Sequence, residues 1–245
     1  MLSNKWLKYI NSLQIKKYRL EHQAFLVEGK KSVEELLHSS LTIKYLFASK
    51  SFIYSNEKLL QGIEVHECTE DELTKVGTFE NNNSAIAVAN YPSFNSQNID
   101  YKANTIVLDH IQDPGNLGTI IRTADWYGIN QIICSENTTD AFAPKVVNSS
   151  MGSLFRTNII YTPLPAFLQK TETAIYGALL NGENIHTTKT SNPFTLVIGN
   201  ESNGISNEIN GLIKNKITIP RFGETESLNA AIATAILLDN FSRNY

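Results

Sequence analysis

Three short polar segments that contain glycine, each placed where an apolar run ends, constrain this chain more than any other feature. The first, Asp113-Pro114-Gly115-Asn116-Leu117-Gly118-Thr119-Ile120-Ile121-Arg122, follows Thr105-Ile106-Val107-Leu108-Asp109. The second, Gly199-Asn200-Glu201-Ser202-Asn203-Gly204, follows Thr195-Leu196-Val197-Ile198. The third runs from Ile219-Pro220 to Ser227-Leu228-Asn229 and opens the last helix. An apolar run with glycine at its end reads as a buried strand entering a tight loop. In α/β domains the loops at strand ends converge on a crevice, and ligands sit there. These loops offer Asn, Arg, Glu and Ser side chains, a set of hydrogen-bond donors and acceptors. They hold no metal-ligand cluster and no nucleophile–base pair.

The rest of the chain repeats the alternation of strand and helix. Trp6, Ile10 and Leu13 lie at helical spacing. Strands are expected over 25–27, 43–48, 64–68 and 85–89, with helices over 32–38 and up to Val76. Thr69 followed by Glu72 is a capping-box signal for the second of these. This pattern predicts a small α/β sandwich over residues 1–92. Residues 93–103 are polar and aperiodic and read as a linker. Residues 104–245 form the second domain. Strands are expected there over 106–109, 131–134, 158–161, 174–180, 196–198 and 217–219. Helices are expected over 117–127, 144–151 and 206–215, with a short one near Phe167. The final helix is expected over 228–241 with Ser227 as its cap. Ala230, Ala231, Ala233, Thr234 and Ala235 keep that helix thin, which suits deep packing or a subunit interface.

Composition narrows the class. The 245 residues are 42% hydrophobic and 18% charged, ordinary values for a globular protein. No apolar run reaches the roughly 20 residues that span a bilayer. Cys68 and Cys134 stand alone, each in a strand-like segment, and read as buried reduced thiols. A cytoplasmic protein is expected. The net charge of −3 does not favour a polyanion partner. Yet Lys5, Lys8, Lys16, Lys17, Arg19, Lys30 and Lys31 crowd the first 31 residues against Glu21 and Glu28. Such a cluster is either a solvated helix face or a surface for phosphates.

Each loop residue has a plain reading beside a functional one. Arg122 offers a fixed fork for phosphate or carboxylate, or it pairs with Asp125 on its own helix. Glu201 caps a helix or orients a neighbour. Ser227 caps the last helix, whose free N–H groups attract polar ligand atoms. Gly115 and Gly118 match neither the dinucleotide-binding nor the P-loop glycine spacing.

Taken together, Asn116-Leu117-Gly118-Thr119-Ile120-Ile121-Arg122, Ile198 through Gly204, and Ile219-Pro220 with Ser227-Leu228-Asn229 resemble the three motifs of the SpoU (TrmH-like) RNA ribose 2′-O-methyltransferases of the SPOUT superfamily. Their order and spacing agree. More weakly, Lys17-Tyr18-Arg19 and Phe25-Leu26-Val27-Glu28-Gly29-Lys30 resemble that family's substrate-binding domain, an L30e-like ribosomal-protein fold. The resemblance implies a parallel-sheet domain tied in a deep trefoil knot, which pattern alone would not suggest. It implies S-adenosylmethionine held by Leu179, Leu180, Gly182, Ile198, Gly199, Asn200, Gly204, Ile219, Pro220 and Leu228. It implies catalytic roles for Asn116, Arg122, Glu201, Ser227 and Asn229, no metal, no membrane, and a homodimer that completes the site. RNA would dock through Lys16, Lys17, Arg19, Lys30 and Lys31.

The implied reaction is methyl transfer to a ribose 2′-hydroxyl of structured RNA. Ribosomal RNA is favoured over transfer RNA. A knotted RNA-binding protein without catalysis is the rival class, and a base-methylating relative shares the knot but not this motif set.

Overall fold

In the computed structural model the described residues are 2–92 and 99–243. Residues 93–98, most of the expected linker, lie outside them. The chain divides into two compact units, one of Met1–Ser93 with Asp140–Phe155, the other of Phe94–Thr139 with Arg156–Tyr245.

The first unit opens with α1 (Asn4–Ser12) and α2 (Lys16–His22). Then come β1 (Ala24–Glu28), α3 (Lys30–Leu37), β2 (Ile43–Ala48) and α4 (Lys50–Asn56). β3 (Glu64–Glu67), α5 (Glu70–Val76) and β4 (Ala85–Asn90) follow. The sheet order is β1-β4-β2-β3; β4 runs antiparallel to both its neighbours, and β2 and β3 run parallel. Ile10, Leu13, Leu26, Phe47, Leu73, Ile86 and Val88 make one buried cluster of this unit. The capping box forms: Thr69 accepts from the Glu72 amide, and the Glu72 carboxylate accepts from the Thr69 amide at 3.0 Å. α2 and α4 are helices that the sequence pattern does not signal. Each has only seven residues, too short for a clear periodicity.

The second unit begins with β5 (Thr105–Leu108), α6 (Pro114–Trp126) and β6 (Gln131–Cys134). The chain then contributes α7 (Pro144–Ser150) to the first unit, where it lies against β1. β7 (Asn158–Tyr161), α8 (Leu164–Leu168), β8 (Ala174–Asn184), β9 (Phe194–Ile198), α9 (Asn207–Asn210), β10 (Asn215–Thr218) and α10 (Ala230–Ser242) complete the second unit. All six strands pair in parallel, in the order β10-β8-β9-β5-β6-β7. β5, β6 and β9 are fully buried, as strands covered on both faces must be. The alternation predicted an α/β domain and the family resemblance implied a parallel sheet, and that is the architecture found.

Several boundaries differ from the sequence expectation, including β8, which runs on to Asn184, β10, which is Asn215–Thr218, and three helices of the second unit. α6 starts at Pro114, not Leu117, because Asp113 caps it by accepting from the Asn116 amide at 2.9 Å and proline fits the first turn. α9 is four residues long, not ten; Asn210 and Gly211 favour ending a helix, and it stops there. α10 begins at Ala230, and its cap is Asn229 rather than Ser227. Among the described residues no helix is long and apolar enough to cross a membrane.

Candidate functional site

The site grows from two neighbouring strands. β5 pairs with β9 in register, Leu108 beside Ile198. From β5 the chain moves to β6 and β7 on one side of the sheet, while β9, β8 and β10 lie on the other. The carboxyl ends of β5 and β9 therefore flank the point where strand order reverses, and the first two motif loops leave from those ends. That is the ligand-binding position of an open α/β sheet.

The residues just past β5 lock both loops in place. Asp109 is 2% exposed, and its Oδ2 accepts from the Ser206 amide at 2.8 Å. His110 takes a left-handed backbone with φ +60°, a conformation that costs a side-chain-bearing residue energy. Its carbonyl accepts from Asn200 Nδ2 at 3.0 Å, and its amide donates to Ser135 Oγ at 2.9 Å. Asn200 Oδ1 in turn accepts from the Ser202 and Asn203 amides at 2.9 and 3.2 Å. The loop closes where Asn200 and Gly204 pair through their backbones. Gly199 is required there: a Cβ would sit 2.3 Å from the Gly204 carbonyl carbon. Asp109 and His110 were not among the residues that the motifs single out. An acid closing an apolar strand was the available signal for Asp109; nothing in the sequence announces the backbone of His110.

One side-chain chain joins all three motifs. Asn229 Nδ2 donates to Asn116 Oδ1 at 2.8 Å, and Asn116 Nδ2 donates to Glu201 Oε1. Asn229 Oδ1 accepts from the Ala231 and Ile232 amides at 3.0 and 3.3 Å, which caps α10. Glu201 thus orients a neighbour rather than capping a helix. Arg122 is exposed on α6 and has no hydrogen bond or ion pair among the described residues. Asp125, its alternative partner, is held instead by Arg156, with Nε–Oδ2 at 3.0 Å and Nη2–Oδ2 at 2.9 Å. Ser227 is exposed in the loop before α10.

The positions assigned to a nucleotide cofactor lie on the same loops and strands. Ile198 is buried at the end of β9; Gly199, Asn200 and Gly204 follow it. Leu179, Leu180 and Gly182 lie on β8, and Ile219 and Pro220 follow β10. A Cβ on Gly182 would meet the Ile217 backbone at 2.5 Å, so only glycine permits this approach of β8 and β10. Leu180 and Leu228 are exposed apolar side chains, at 71% and 46%. Among the described residues no cluster of three metal-ligating side chains occurs.

In the first unit Lys16 and Lys17 on α2, and Lys30 and Lys31 opening α3, are exposed. Arg19 is not. It is 3% exposed, and its guanidinium donates to the Leu13 and Gln14 carbonyls at 3.0 and 2.8 Å and to Asp140 at 2.7 Å. Arg19 is therefore removed from the expected RNA-binding set; it holds Asp140 inside this unit. Burial raises the Tyr91 hydroxyl to about 12 in the same unit. Burial also pushes up both thiols, Cys68 to about 11 and Cys134 further, which makes them poor nucleophiles.

Comparison with known proteins adds three findings. Residues 103–239 match the SpoU rRNA Methylase family, and residues 4–87 match the MRM3-like substrate binding domain. The chain is 32% identical to the 23S rRNA (guanosine(2553)-2′-O)-methyltransferase RlmP of Bacillus subtilis, over 96% of this chain and 95% of that protein. Its fold is similar to a TrmH-family protein from Porphyromonas gingivalis, with a TM-score of 0.87, 35% identity and full coverage of both chains. It is equally similar to an AdoMet-bound rRNA methyltransferase from Sinorhizobium meliloti, with a TM-score of 0.87, 30% identity and coverage of 99% and 96%.

Proposed function

Because the chain belongs to the SpoU rRNA methylase family, we propose that it transfers a methyl group from S-adenosylmethionine to a ribose 2′-hydroxyl of ribosomal RNA. The observation that carries this reading is the hydrogen-bonded chain Asn229–Asn116–Glu201, which gathers the three motif loops at one end of the parallel sheet. S-adenosylmethionine, when bound, supplies an already activated electrophilic methyl group. The protein's task is then to align the ribose oxygen and to exclude water.

Leu179, Leu180, Gly182, Ile198, Gly199, Asn200, Gly204, Ile219, Pro220 and Leu228 hold the donor in this reading. The exposed leucines and the glycine-dependent approach of β8 to β10 support it. Arg122 grips an RNA phosphate next to the target ribose through its planar fork. A guanidinium does not serve as a base near neutral pH, so the hydroxyl proton leaves to that phosphate or to water. The free guanidinium of Arg122 favours this role over a structural one. Glu201 orients the reacting groups, and Ser227 presents its hydroxyl from the loop before the last helix.

Residues 1–92 serve as the RNA-binding domain with an L30e-like fold, 93–103 as the linker and 104–245, apart from the segment 140–155 that joins the first unit, as the methyltransferase domain. Lys16, Lys17, Lys30 and Lys31 meet the RNA backbone. The methyltransferase domain carries a trefoil knot and works as a homodimer. Trp126 on α6, 83% exposed, and Ile232 on α10, 52% exposed, leave apolar surface on two helices that pack together, which supports a partner subunit there. The cytoplasm is the proposed place of this work. The test is a map of 2′-O-methyl groups in ribosomal RNA from cells with and without the gene. One ribose methylation is expected to vanish; an unchanged map in ribosomal RNA, with a loss in transfer RNA, would redirect the assignment.

A further inference from the structure

The chain Asn229–Asn116–Glu201 has a direction, and the start of α10 imposes it. Backbone amides only donate. The side-chain atom of Asn229 that meets the Ala231 and Ile232 amides must therefore be its oxygen. That leaves Nδ2 to face Asn116, and a donor there demands the Asn116 oxygen, at 2.8 Å. The Asn116 Nδ2 is then turned toward Glu201. Each amide has one allowed orientation, and the choice propagates from a helix terminus to a carboxylate. The dipoles run head to tail, from the positive end of α10 to a negative group, the arrangement in which successive hydrogen bonds reinforce one another.

We propose that Asn229 and Asn116 form a directional amide relay through which the N-terminus of α10 sets the orientation of the Glu201 carboxylate. Asn116 and Asn229 are then positioning residues, acting through Glu201. This rests on the methyl-transfer reading above and deepens it: motif three, whose Leu228 lines the donor site, is mechanically linked to the carboxylate of motif two. The relay makes a prediction that plain packing does not. It can be reversed. With an acceptor at 229 and a donor at 201, the Asn116 amide turns over and both of its side-chain hydrogen bonds are remade in the opposite sense, while the cap on α10 stays as it is.

The experiment is a double-substitution cycle with Asn229→Asp and Glu201→Gln. Asn229→Asp keeps the cap on α10, because aspartate caps as well as asparagine, so the unfolding midpoint stays within about 3 °C. It removes the donor to Asn116. Single-turnover methylation is expected to slow about 100-fold in the protein with Glu201. In the Glu201→Gln protein the same substitution is expected to cost less than about 5-fold. Calorimetric affinity for S-adenosylmethionine is expected to stay within about 3-fold throughout, since the relay acts on the carboxylate and not on the donor. An equal loss in both backgrounds overturns the relay while leaving the activity intact. If the unaltered protein transfers no methyl group, the activity reading is what fails. The relay is then judged by the same cycle in unfolding midpoints, where coupling upholds it and additivity overturns it.

Discussion

Arg122 is exposed on α6. Its neighbour Asp125 is taken by Arg156 through a two-toothed ion pair. An exposed guanidinium with no partner among the described residues is open to an anion. If its fork matters, and not merely its charge, Arg122→Lys lowers the single-turnover rate about 100-fold with little change in donor affinity. A lysine variant with near-full turnover would rule out the geometric role. Arg19 carries the same side chain with the opposite fate. It lies among other basic residues in the sequence, yet it is buried and ion-paired within its unit. Sequence proximity to lysines says nothing about which cation faces water. His110 is a third case: its left-handed backbone aims a carbonyl at Asn200 and so shapes the second motif loop.

At the scale of elements, the segment Asp140–Phe155 is held to the first unit by polar and aromatic contacts. Arg19 binds Asp140, Asn148 Nδ2 donates to Thr78 Oγ1 at 3.3 Å, and Phe142 packs on Phe25 and Tyr91 with ring centroids 4.8 and 4.5 Å apart. Arg19→Ala would leave Asp140 without its counter-ion in a site only 14% exposed. The expected cost is about 3–5 kcal/mol, read from urea denaturation; a change below about 1 kcal/mol would show that solvent or another group satisfies Asp140. Legibility in the sequence varies for physical reasons. β2, β6 and β7 are bounded as their apolar runs are, because burial on a sheet leaves a direct pattern. The Thr69–Glu72 capping box is a local rule and forms as read. The start of α6 was misplaced because Gly115 and Asn116 are poor helix formers, and their weak propensity loses to a cap and a proline. The identity of the α10 cap was misplaced because both Ser227 and Asn229 are good caps, and only the tertiary link to Asn116 selects Asn229. The motif residues were visible, but the order in which they bond was not, since it joins positions 116, 201 and 229 across the sheet.

The whole molecule combines two units with different chemistry. One presents Lys16, Lys17, Lys30 and Lys31 on its surface, and the other gathers the motif loops at the carboxyl ends of a parallel sheet. The net charge of −3 therefore describes neither face: basic residues cluster in one stretch, and the hydrogen-bonded chain that joins the motifs is built from two amides and a carboxylate. The central claim is that this chain methylates ribose. It is tested most directly by incubating the purified protein with ribosomal RNA and methyl-labelled S-adenosylmethionine, then hydrolysing the RNA in alkali. A methylated 2′-oxygen cannot attack its own phosphate, so the account predicts label in alkali-resistant dinucleotides from one position. Label recovered only in mononucleotides would mean base methylation, and an RNA left unlabelled would contradict the claim outright.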